Sequence, residues 1–166
     1  MKDGQFLSAL PPASRQSQKN PAPRILVVDD DVNIRRLNAE VLGLCGYEVD
    51  AVEDGAAAWE LLSINHYQLL ITDNTMPKVS GVELLKQLWA ARMALPVIMA
   101  TGRWPVAQFT QFPWLQPTAP LLKPYTVEQL IGTVRNVLHA TEVAAAKITP
   151  PPDCDSQPAA MGMRLA

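Results

Sequence analysis

The chain has 166 residues, of which 48% are hydrophobic, and its formal net charge at pH 7 is −2. This length fits one domain with a buried core. The weak negative charge predicts no binding to nucleic acid or to an anionic membrane surface. No apolar run is long enough to span a bilayer, and the N-terminus lacks the apolar core of a secretory signal. Two distant cysteines form no disulfide framework and no metal-ligand spacing. We therefore expect a cytoplasmic protein.

The two ends of the sequence differ in composition from the middle. Residues 1–23 are rich in Gln, Ser, Pro, Asn and Ala, and residues 141–166 include three consecutive prolines among small residues. Neither segment has the periodicity of a helix or a strand. The sequence therefore predicts a disordered N-terminal arm, one domain over residues 24–140, and a disordered C-terminal tail that is too short for a DNA-binding domain.

Between these ends, short apolar runs that suit strands alternate with segments of helical periodicity. In chain order the predicted elements are strand 25–28, helix 32–45, strand 47–52, helix 56–64, strand 69–71, a helix that opens at residue 80, strand 97–100, a short helix 106–112, strand 121–122 and helix 127–139. Such alternation predicts an α/β fold, with a five-stranded parallel sheet covered by helices on both faces.

The apolar spacing within each helix predicts which side faces the sheet. The predicted inward residues are Ile34, Leu37, Val41 and Leu44 in the first helix, Ala57, Leu61 and Ile64 in the second, Leu84, Leu85, Leu88 and Trp89 in the third, and Leu130, Ile131, Val134, Val137 and Leu138 in the last. Cys45 is expected to be a small core residue. Asp31, Ser80 and Thr126 are predicted helix caps, and Ser80 with Glu83 has capping-box spacing.

Polar residues follow four of the five predicted strands. The third strand ends at Asp73, and the others add Asp29 and Asp30, Thr101, and Lys123. The carboxyl ends of parallel strands meet at one edge of a sheet, where sites of open α/β folds lie. Asp73 taken alone is equally consistent with a loop cap. The combination of three acids, a hydroxyl and a lysine favours a functional site.

The chemistry of this set is specific. Two carboxylates about 4 Å apart repel by roughly 4 kcal/mol at an effective dielectric constant near 20, so three of them require a cation. Oxygen ligands on a rigid frame favour Mg²⁺, which binds phosphate oxygens readily. A carboxylate beside Mg²⁺ is a nucleophile for phosphorus, and Lys123 and Thr101 would interact with the phosphoryl oxygens. The set predicts a phospho-aspartate site.

The arrangement resembles the receiver domain of two-component response regulators over residues 24–140. The motifs that carry the resemblance are Ile25-Leu26-Val27-Val28-Asp29-Asp30-Asp31, Asp73-Asn74-Thr75-Met76-Pro77 with Gly81, Thr101-Gly102, and Lys123-Pro124-Tyr125. The resemblance implies a flavodoxin-like strand order of 2-1-3-4-5. It also implies a signalling module, not an enzyme, that changes its binding to a downstream protein when a sensor histidine kinase or histidine phosphotransfer protein phosphorylates Asp73.

The resemblance further implies a role for each site residue. Mg²⁺ would be bound by Asp29 or Asp30 together with Asp73 and the main-chain carbonyl of Thr75. Asp30 is expected to be the direct ligand and Asp29 to act largely through water. Thr101 would be the switch hydroxyl, and Lys123 would contact the phosphoryl group.

Two features depart from the family pattern. Pro120 occupies the position, three before Lys123, where receivers usually carry an aromatic switch residue, and proline cannot swing. Four aromatic residues crowd the segment 104–117, namely Trp104, Phe109, Phe112 and Trp114. They either pack down in place of missing helix contacts or form an exposed partner site. We expect Thr101 to move and this segment to carry the output; Arg103 beside it is a candidate for tuning acyl-phosphate hydrolysis.

Two other functions fit part of the pattern. In a small phosphohydrolase of the haloacid-dehalogenase type, Asp29 would be the nucleophile and Asp73 only a metal ligand. That alternative has no cap insertion and does not explain the motif from Asp73 to Pro77. The other alternative, a degenerate receiver that only binds partners, conflicts with the presence of all five site residues.

Overall fold

The computed structural model describes residues 21–148, so residues 1–20 and 149–166 of the two predicted disordered ends lie outside the described part. Strands and helices alternate along it as the sequence predicts. Their bounds are β1 Arg24–Val28, α1 Val32–Leu44, β2 Glu48–Val52, α2 Gly55–Ile64, β3 Leu69–Thr72, α3 Gly81–Ala90, β4 Val97–Thr101, α4 Val106–Gln111, β5 Ala119–Leu122 and α5 Val127–Ile148, with a 3-10 turn at Pro113–Leu115.

All five strands lie parallel in one sheet of order β2-β1-β3-β4-β5, which confirms the predicted fold. The register decides which strand ends become neighbours. Val28 pairs with Thr72, so the residues that follow, Asp29 and Asp73, leave the sheet side by side. Thr101 pairs with Leu122 at the end of β4, next to Lys123.

The central strands are buried on both faces because each face is covered by helices. Side chains alternate across a strand, so Leu26 and Val28 face one core while Ile25 and Val27 face the other. The helices α2, α3 and α4 contribute to the first core, and α1 and α5 to the second. The sheet is therefore doubly wound and rigid, and its carboxyl edge is a fixed frame for side chains.

The predicted helix caps are present. The Asp31 carboxylate accepts from the backbone N–H groups of Asn33 and Ile34, and Ser80 and Glu83 form a reciprocal capping box. Thr126 accepts from the Gln129 N–H at 3.3 Å. These caps satisfy N–H groups that have no partner within a helix.

The predicted inward faces of three helices need correction. In α1, Leu37 and Leu44 are 53% and 83% exposed, and the buried residues are Asn38 and Leu42. The physical reason is a buried hydrogen bond, in which the Asn38 amide donates to the Tyr125 hydroxyl at 2.9 Å. The helix therefore turns a polar side chain inward, and the spacing of apolar residues alone does not predict this.

The predicted inward faces of α2 and α3 also differ from the faces that are buried in the structure. In α2 the buried residues are Gly55, Ala58 and Leu62, while the predicted inward residue Ile64 is 78% exposed. Trp89 at the end of α3 is 62% exposed. Cys45 is exposed, because it follows the last turn of α1 and does not lie on its buried side. The inward face of α5 is confirmed at Leu130, Val134, Val137 and Leu138.

The faces of α1 can be tested by a matched pair of substitutions. Leu42→Ala should lower the free energy of unfolding by about 2–5 kcal/mol, since it leaves a cavity against the sheet. Leu37→Ala makes the same chemical change on the exposed face and should alter it by no more than about 0.5 kcal/mol. Urea unfolding followed by circular dichroism measures both, and equal losses would contradict the observed helix orientation.

Helix α5 is longer than predicted. It runs to Ile148, beyond the predicted end at His139. Residues 141–148, which were predicted to belong to the disordered tail, are therefore helical. The reason is local propensity: Val143 is followed by three alanines, the strongest helix formers, and no glycine or proline interrupts the run. Residues 139–146 are exposed, so this extension continues past the core.

The segment between β4 and β5 is irregular, as its prolines predict. Helix α4 has six residues and is followed by the turn Pro113–Leu115. Phe109 is 5% exposed and packs against Trp104 with ring centroids 5.1 Å apart, whereas Trp114 is 57% exposed. The packing alternative therefore applies to Phe109.

Among the described residues, no helix combines the length and hydropathy that crossing a membrane requires.

Candidate functional site

Three acids predicted to share the carboxyl edge of the sheet lie together. Asp29, Asp30 and Asp73 each place a carboxylate oxygen within 4.8 Å of the others. They come together because β1 and β3 are adjacent and in register. Asp29 is 1% exposed and Asp73 is 7% exposed, while Asp30 is open to solvent. The cluster thus has two buried carboxylates, Asp29 and Asp73, and one accessible carboxylate, Asp30.

Lys123 supplies a cation to this cluster. Its Nζ lies 2.6 Å from Asp29 Oδ2 and 2.7 Å from Asp73 Oδ2, so one ammonium bridges both buried acids. The Lys123 backbone N–H donates to the Thr101 carbonyl at 3.0 Å, which fixes the end of β5 beside β4. The sequence predicts Lys123 at this edge, but the pairing with Asp29 was not expected.

Burial changes the proton affinity of these groups. Loss of water around Asp29 raises the pKa of its carboxyl, although the hydrogen bond and the charge of Lys123 oppose the increase. For Lys123, burial acts to lower the pKa, but its hydrogen bonds to Asp29 and Asp73 outweigh burial and raise it. The lysine is therefore fully charged at neutral pH and offsets the repulsion between the two carboxylates.

The second oxygen of Asp73 is held by its own loop. Oδ1 accepts from the backbone N–H groups of Asn74 and Thr75. The loop then returns to the start of α3, where the Gly81 N–H donates to the Asn74 carbonyl. A Cβ on Gly81 would collide with the Asp73 carbonyl, so only glycine allows α3 to approach this closely.

This close approach predicts a large difference between two glycine substitutions. Gly81→Ala should lower the free energy of unfolding by about 1–3 kcal/mol, because the backbone at Asp73 must move to accept a methyl group. Gly43→Ala on α1 meets no atom within 4 Å and should stabilise the helix by up to about 1 kcal/mol. Thermal unfolding of both variants checks this, and equal stability would contradict the packing at Gly81.

Thr101 and Thr75 have different surroundings. The Thr101 side chain is fully buried, and its hydroxyl donates to the Arg103 carbonyl at 3.2 Å. The Arg103 N–H donates back to the Thr101 hydroxyl at 3.4 Å. The Thr101 hydroxyl thus bonds to its own loop. Thr75 is exposed on the loop after β3, and its main-chain carbonyl as a metal ligand stays a prediction.

The donor set fits Mg²⁺. It consists of carboxylate oxygens on two rigid strand ends, and Asp30 is accessible to water, which Mg²⁺ partly retains. Lys123 already occupies one oxygen each of Asp29 and Asp73. The accessible Asp30 carboxylate suits direct ligation, while the assignment of Asp30 as the direct ligand and of Asp29 as acting largely through water stays a prediction.

Two contributions to the site were missed at the level of sequence. The Arg35 guanidinium on α1 donates to the Asp29 carbonyl and holds the loop after β1 in place. Lys78, in the loop after β3, forms an ion pair with Asp54 at 2.6 Å. The position of Asp54 before a helix marks it as an N-cap, but nothing in the sequence indicates a partner 24 residues away.

A doubly wound sheet with three acids and a lysine at its carboxyl edge defines a phosphoacceptor signalling module. A family profile described as "Response regulator receiver domain" matches residues 25–135. The chain belongs to the response regulator receiver family, and its role is to accept a phosphoryl group in signalling.

Individual relatives agree with this assignment. The chain is 33% identical over 119 residues to "Probable transcriptional regulator ycf27" of Cyanophora paradoxa, which covers 72% of this chain and 49% of that protein. The chain thus spans about half the length of this curated relative. Among solved structures, the Francisella response regulator 1452 receiver domain is similar with a TM-score of 0.65 and 27% identity, covering 72% of this chain and 98% of that one. The response regulator TrrA of Thermotoga maritima, solved in complex with Mg²⁺–BeF, has a TM-score of 0.60 and 30% identity, covering 69% of this chain and 98% of that one.

Proposed function

We propose that Asp73 accepts a phosphoryl group from a phosphohistidine on a sensor histidine kinase or a histidine phosphotransfer protein in the cytoplasm. A carboxylate oxygen of Asp73 forms the bond to phosphorus while the phosphorus–nitrogen bond of the phosphohistidine breaks. The displaced imidazole nitrogen then takes a proton from water. The product is an acyl phosphate at the edge of the sheet.

The single observation that carries this proposal is the shared environment of Asp73. Its carboxylate lies in a cluster with Asp29 and Asp30 and is bonded to Lys123 at 2.7 Å. These are the groups that an arriving phosphoryl group needs: a nucleophile, an acidic pair for a cation, and an ammonium for the charge on the phosphoryl oxygens. Asp73 is held by β3 on one side and the Gly81 contact on the other, so it is positioned before the donor arrives.

Asp30, Asp29, Asp73 and the Thr75 carbonyl are the residues that would bind Mg²⁺. When bound, Mg²⁺ neutralises charge on the phosphoryl oxygens. Lys123 leaves its bridging position between the two acids to pair with the phosphoryl group, because that group carries more negative charge than a carboxylate. The Thr101 hydroxyl exchanges the Arg103 carbonyl for a phosphoryl oxygen.

The output would pass through the segment 104–117. Pro120 lies exposed on β5 where other receivers carry a swinging aromatic residue, so a different part must respond. Arg103 connects the Thr101 hydroxyl directly to this segment through two hydrogen bonds. Movement of Thr101 therefore displaces Arg103 and the adjoining Trp104, and a downstream protein would bind the changed surface. Arg103 and Trp104 also line a cleft of about 510 Å³ beside Asn74 and Thr75.

The hydrolase alternative places the nucleophile at Asp29, and its geometry does not support this. Asp29 is 1% exposed, with one oxygen bonded to Lys123 and the other accepting from the Asp31 N–H at 3.0 Å. Asp73 is bonded to the same lysine, but its side chain is 9% exposed and that of Asp29 only 2%, so Asp73 is the more accessible of the two to a substrate that comes from solvent.

Incubation of the protein with Mg²⁺ and acetyl phosphate tests the proposal. Intact-mass spectrometry should show one phosphoryl group that hydroxylamine removes, as it does from an acyl phosphate. Tryptophan emission should change on addition of beryllofluoride and Mg²⁺, because Trp104 adjoins the site. No phosphoryl uptake would contradict the proposed function, and uptake without a change in emission would contradict the output route alone.

A further inference from the structure

The loop after β3 is fastened to a second part of the molecule by an ion pair. The Lys78 Nζ lies 2.6 Å from Asp54 Oδ2, and Asp54 lies in the connection between β2 and α2. Asp54 is 1% exposed, whereas the Lys78 side chain is 64% exposed. We refer to this pair as the Lys78–Asp54 clasp.

Asp54 is a firm anchor for the clasp. Its other oxygen accepts from the Ala57 N–H at 2.9 Å and caps α2, whose N-terminus favours a negative charge. The hydrogen bond from Lys78, followed by that from Ala57, holds the pKa of Asp54 below its ordinary value, so the carboxylate is charged at neutral pH. A buried, charged helix cap gives the lysine a partner with little freedom to move.

A second contact holds the same loop against α2. A Cβ placed on Gly55 would lie 2.6 Å from the Val79 carbonyl oxygen, so the loop backbone rests directly on the first residue of α2. Lys78 itself has a φ of 61°, in the left-handed region that residues with a side chain rarely adopt. Strained backbone of this kind persists where surrounding contacts enforce it. The ion pair and the Gly55 contact are the enforcing contacts here.

The clasp determines the course of the residues between Asp73 and α3. Asp73 is fixed by β3, and the return to α3 is fixed by the bond from the Gly81 N–H to the Asn74 carbonyl. Thr75 lies between these points, three residues before Lys78. Without the clasp, the loop would keep the Gly55–Val79 contact and the bond from the Thr75 N–H to Asp73, but Lys78 itself would lose its link to α2.

We propose that Lys78 is a positioning residue, which through Asp54 holds the Thr75 carbonyl in the orientation that binds Mg²⁺. This inference rests on the proposed function, because it concerns the metal of the same phosphoacceptor site. Lys78 touches neither the metal nor the phosphoryl group. Its ammonium pairs with Asp54, and this ion pair restricts the backbone at Lys78. The backbone between Lys78 and Thr75 transmits the restriction to the Thr75 carbonyl.

Calorimetric titration of the full chain with Mg²⁺ tests the clasp. Lys78→Met keeps the apolar stem and removes the charge, and it should weaken Mg²⁺ binding by about tenfold, the lower range for loss of a residue that orients a metal ligand. Asp54→Asn retains a capping oxygen and should weaken binding to a similar extent. The double variant should be no weaker than either single variant, since both break one interaction.

Conservative and matched variants separate positioning from a general structural role. Lys78→Arg preserves the ion pair and should bind Mg²⁺ within about twofold of the wild type. Lys86→Met and Glu40→Gln make the same charge changes at exposed positions outside the clasp and should leave the Mg²⁺ affinity unchanged. Thermal unfolding without Mg²⁺ shows whether each variant is folded. If Asp54→Asn does not fold, the Lys78 variants alone test the proposal.

The outcomes are distinct. Wild-type Mg²⁺ binding and phosphoryl uptake, with weakened binding in Lys78→Met and recovery in Lys78→Arg, support the clasp. Wild-type affinity in Lys78→Met overturns the clasp while the proposed function stands. Equal weakening in Lys78→Met and Lys78→Arg also overturns it. A wild-type protein that takes up neither Mg²⁺ nor a phosphoryl group overturns the proposed function.

Discussion

The Asp73→Asn variant should take up no phosphoryl group from acetyl phosphate under conditions that label the wild-type protein completely. A neutral amide oxygen is a far weaker nucleophile than a carboxylate, while the side chain keeps its size and its place between β3 and Gly81. Lys123 retains Asp29 as a partner at 2.6 Å, so the fold should survive the change. Intact-mass spectrometry measures the phosphoryl uptake.

Asp31→Asn is the matched control for this loss. It makes the same substitution in the acidic run after β1, but Asp31 caps α1, and asparagine caps a helix equally well. This variant should be labelled like the wild type. Labelling of Asp73→Asn that peptide mapping places on Asp29 would instead support the hydrolase alternative.

The second large effect is expected from Lys123→Met, which removes the ammonium between two buried carboxylates. Breaking such a pair leaves uncompensated charge in the interior and typically costs about 3–5 kcal/mol. The Lys123 side chain is 17% exposed and Asp29 only 2%, so we expect the free energy of unfolding to fall by about 3 kcal/mol in the absence of Mg²⁺. Urea unfolding gives the value.

Addition of Mg²⁺ distinguishes this explanation from simple loss of packing. A divalent cation near Asp29 and Asp73 compensates the charge that Lys123 no longer neutralises, so Mg²⁺ should stabilise Lys123→Met more than it stabilises the wild type. Lys86→Met removes an exposed ammonium and should show neither effect. A variant that Mg²⁺ stabilises less than the wild type would contradict the electrostatic role of Lys123.

The order and type of the elements were predictable because they depend on local patterns. Apolar runs such as Leu69-Leu70-Ile71 are typical of strands buried on both faces, and capping residues such as Ser80 mark where helices begin. The site residues were predictable for a related reason. Polar residues that directly follow buried strands must leave the sheet at its carboxyl edge, whatever the details of packing.

The orientation of the helices was less predictable. Leu37 and Asn38 are neighbours, and their hydropathy favours burying the leucine, yet Asn38 is buried because Tyr125 offers it a hydrogen bond. That partner comes from the far end of the domain. The extension of α5 to Ile148 has a local cause instead, because the high helix propensity of its alanines continues the helix into residues that were predicted to be a disordered tail.

By itself, the sequence determined the parallel α/β fold and the set of side chains at its functional edge, because strand burial and strand ends are properties of short segments. Only the tertiary structure decided how these side chains pair. Lys123 bridges Asp29 and Asp73, Arg35 bonds the Asp29 carbonyl, and Lys78 joins Asp54. Ion pairs depend on distances across separate elements, and sequence spacing carries no information about those distances until the sheet and its helices are assembled.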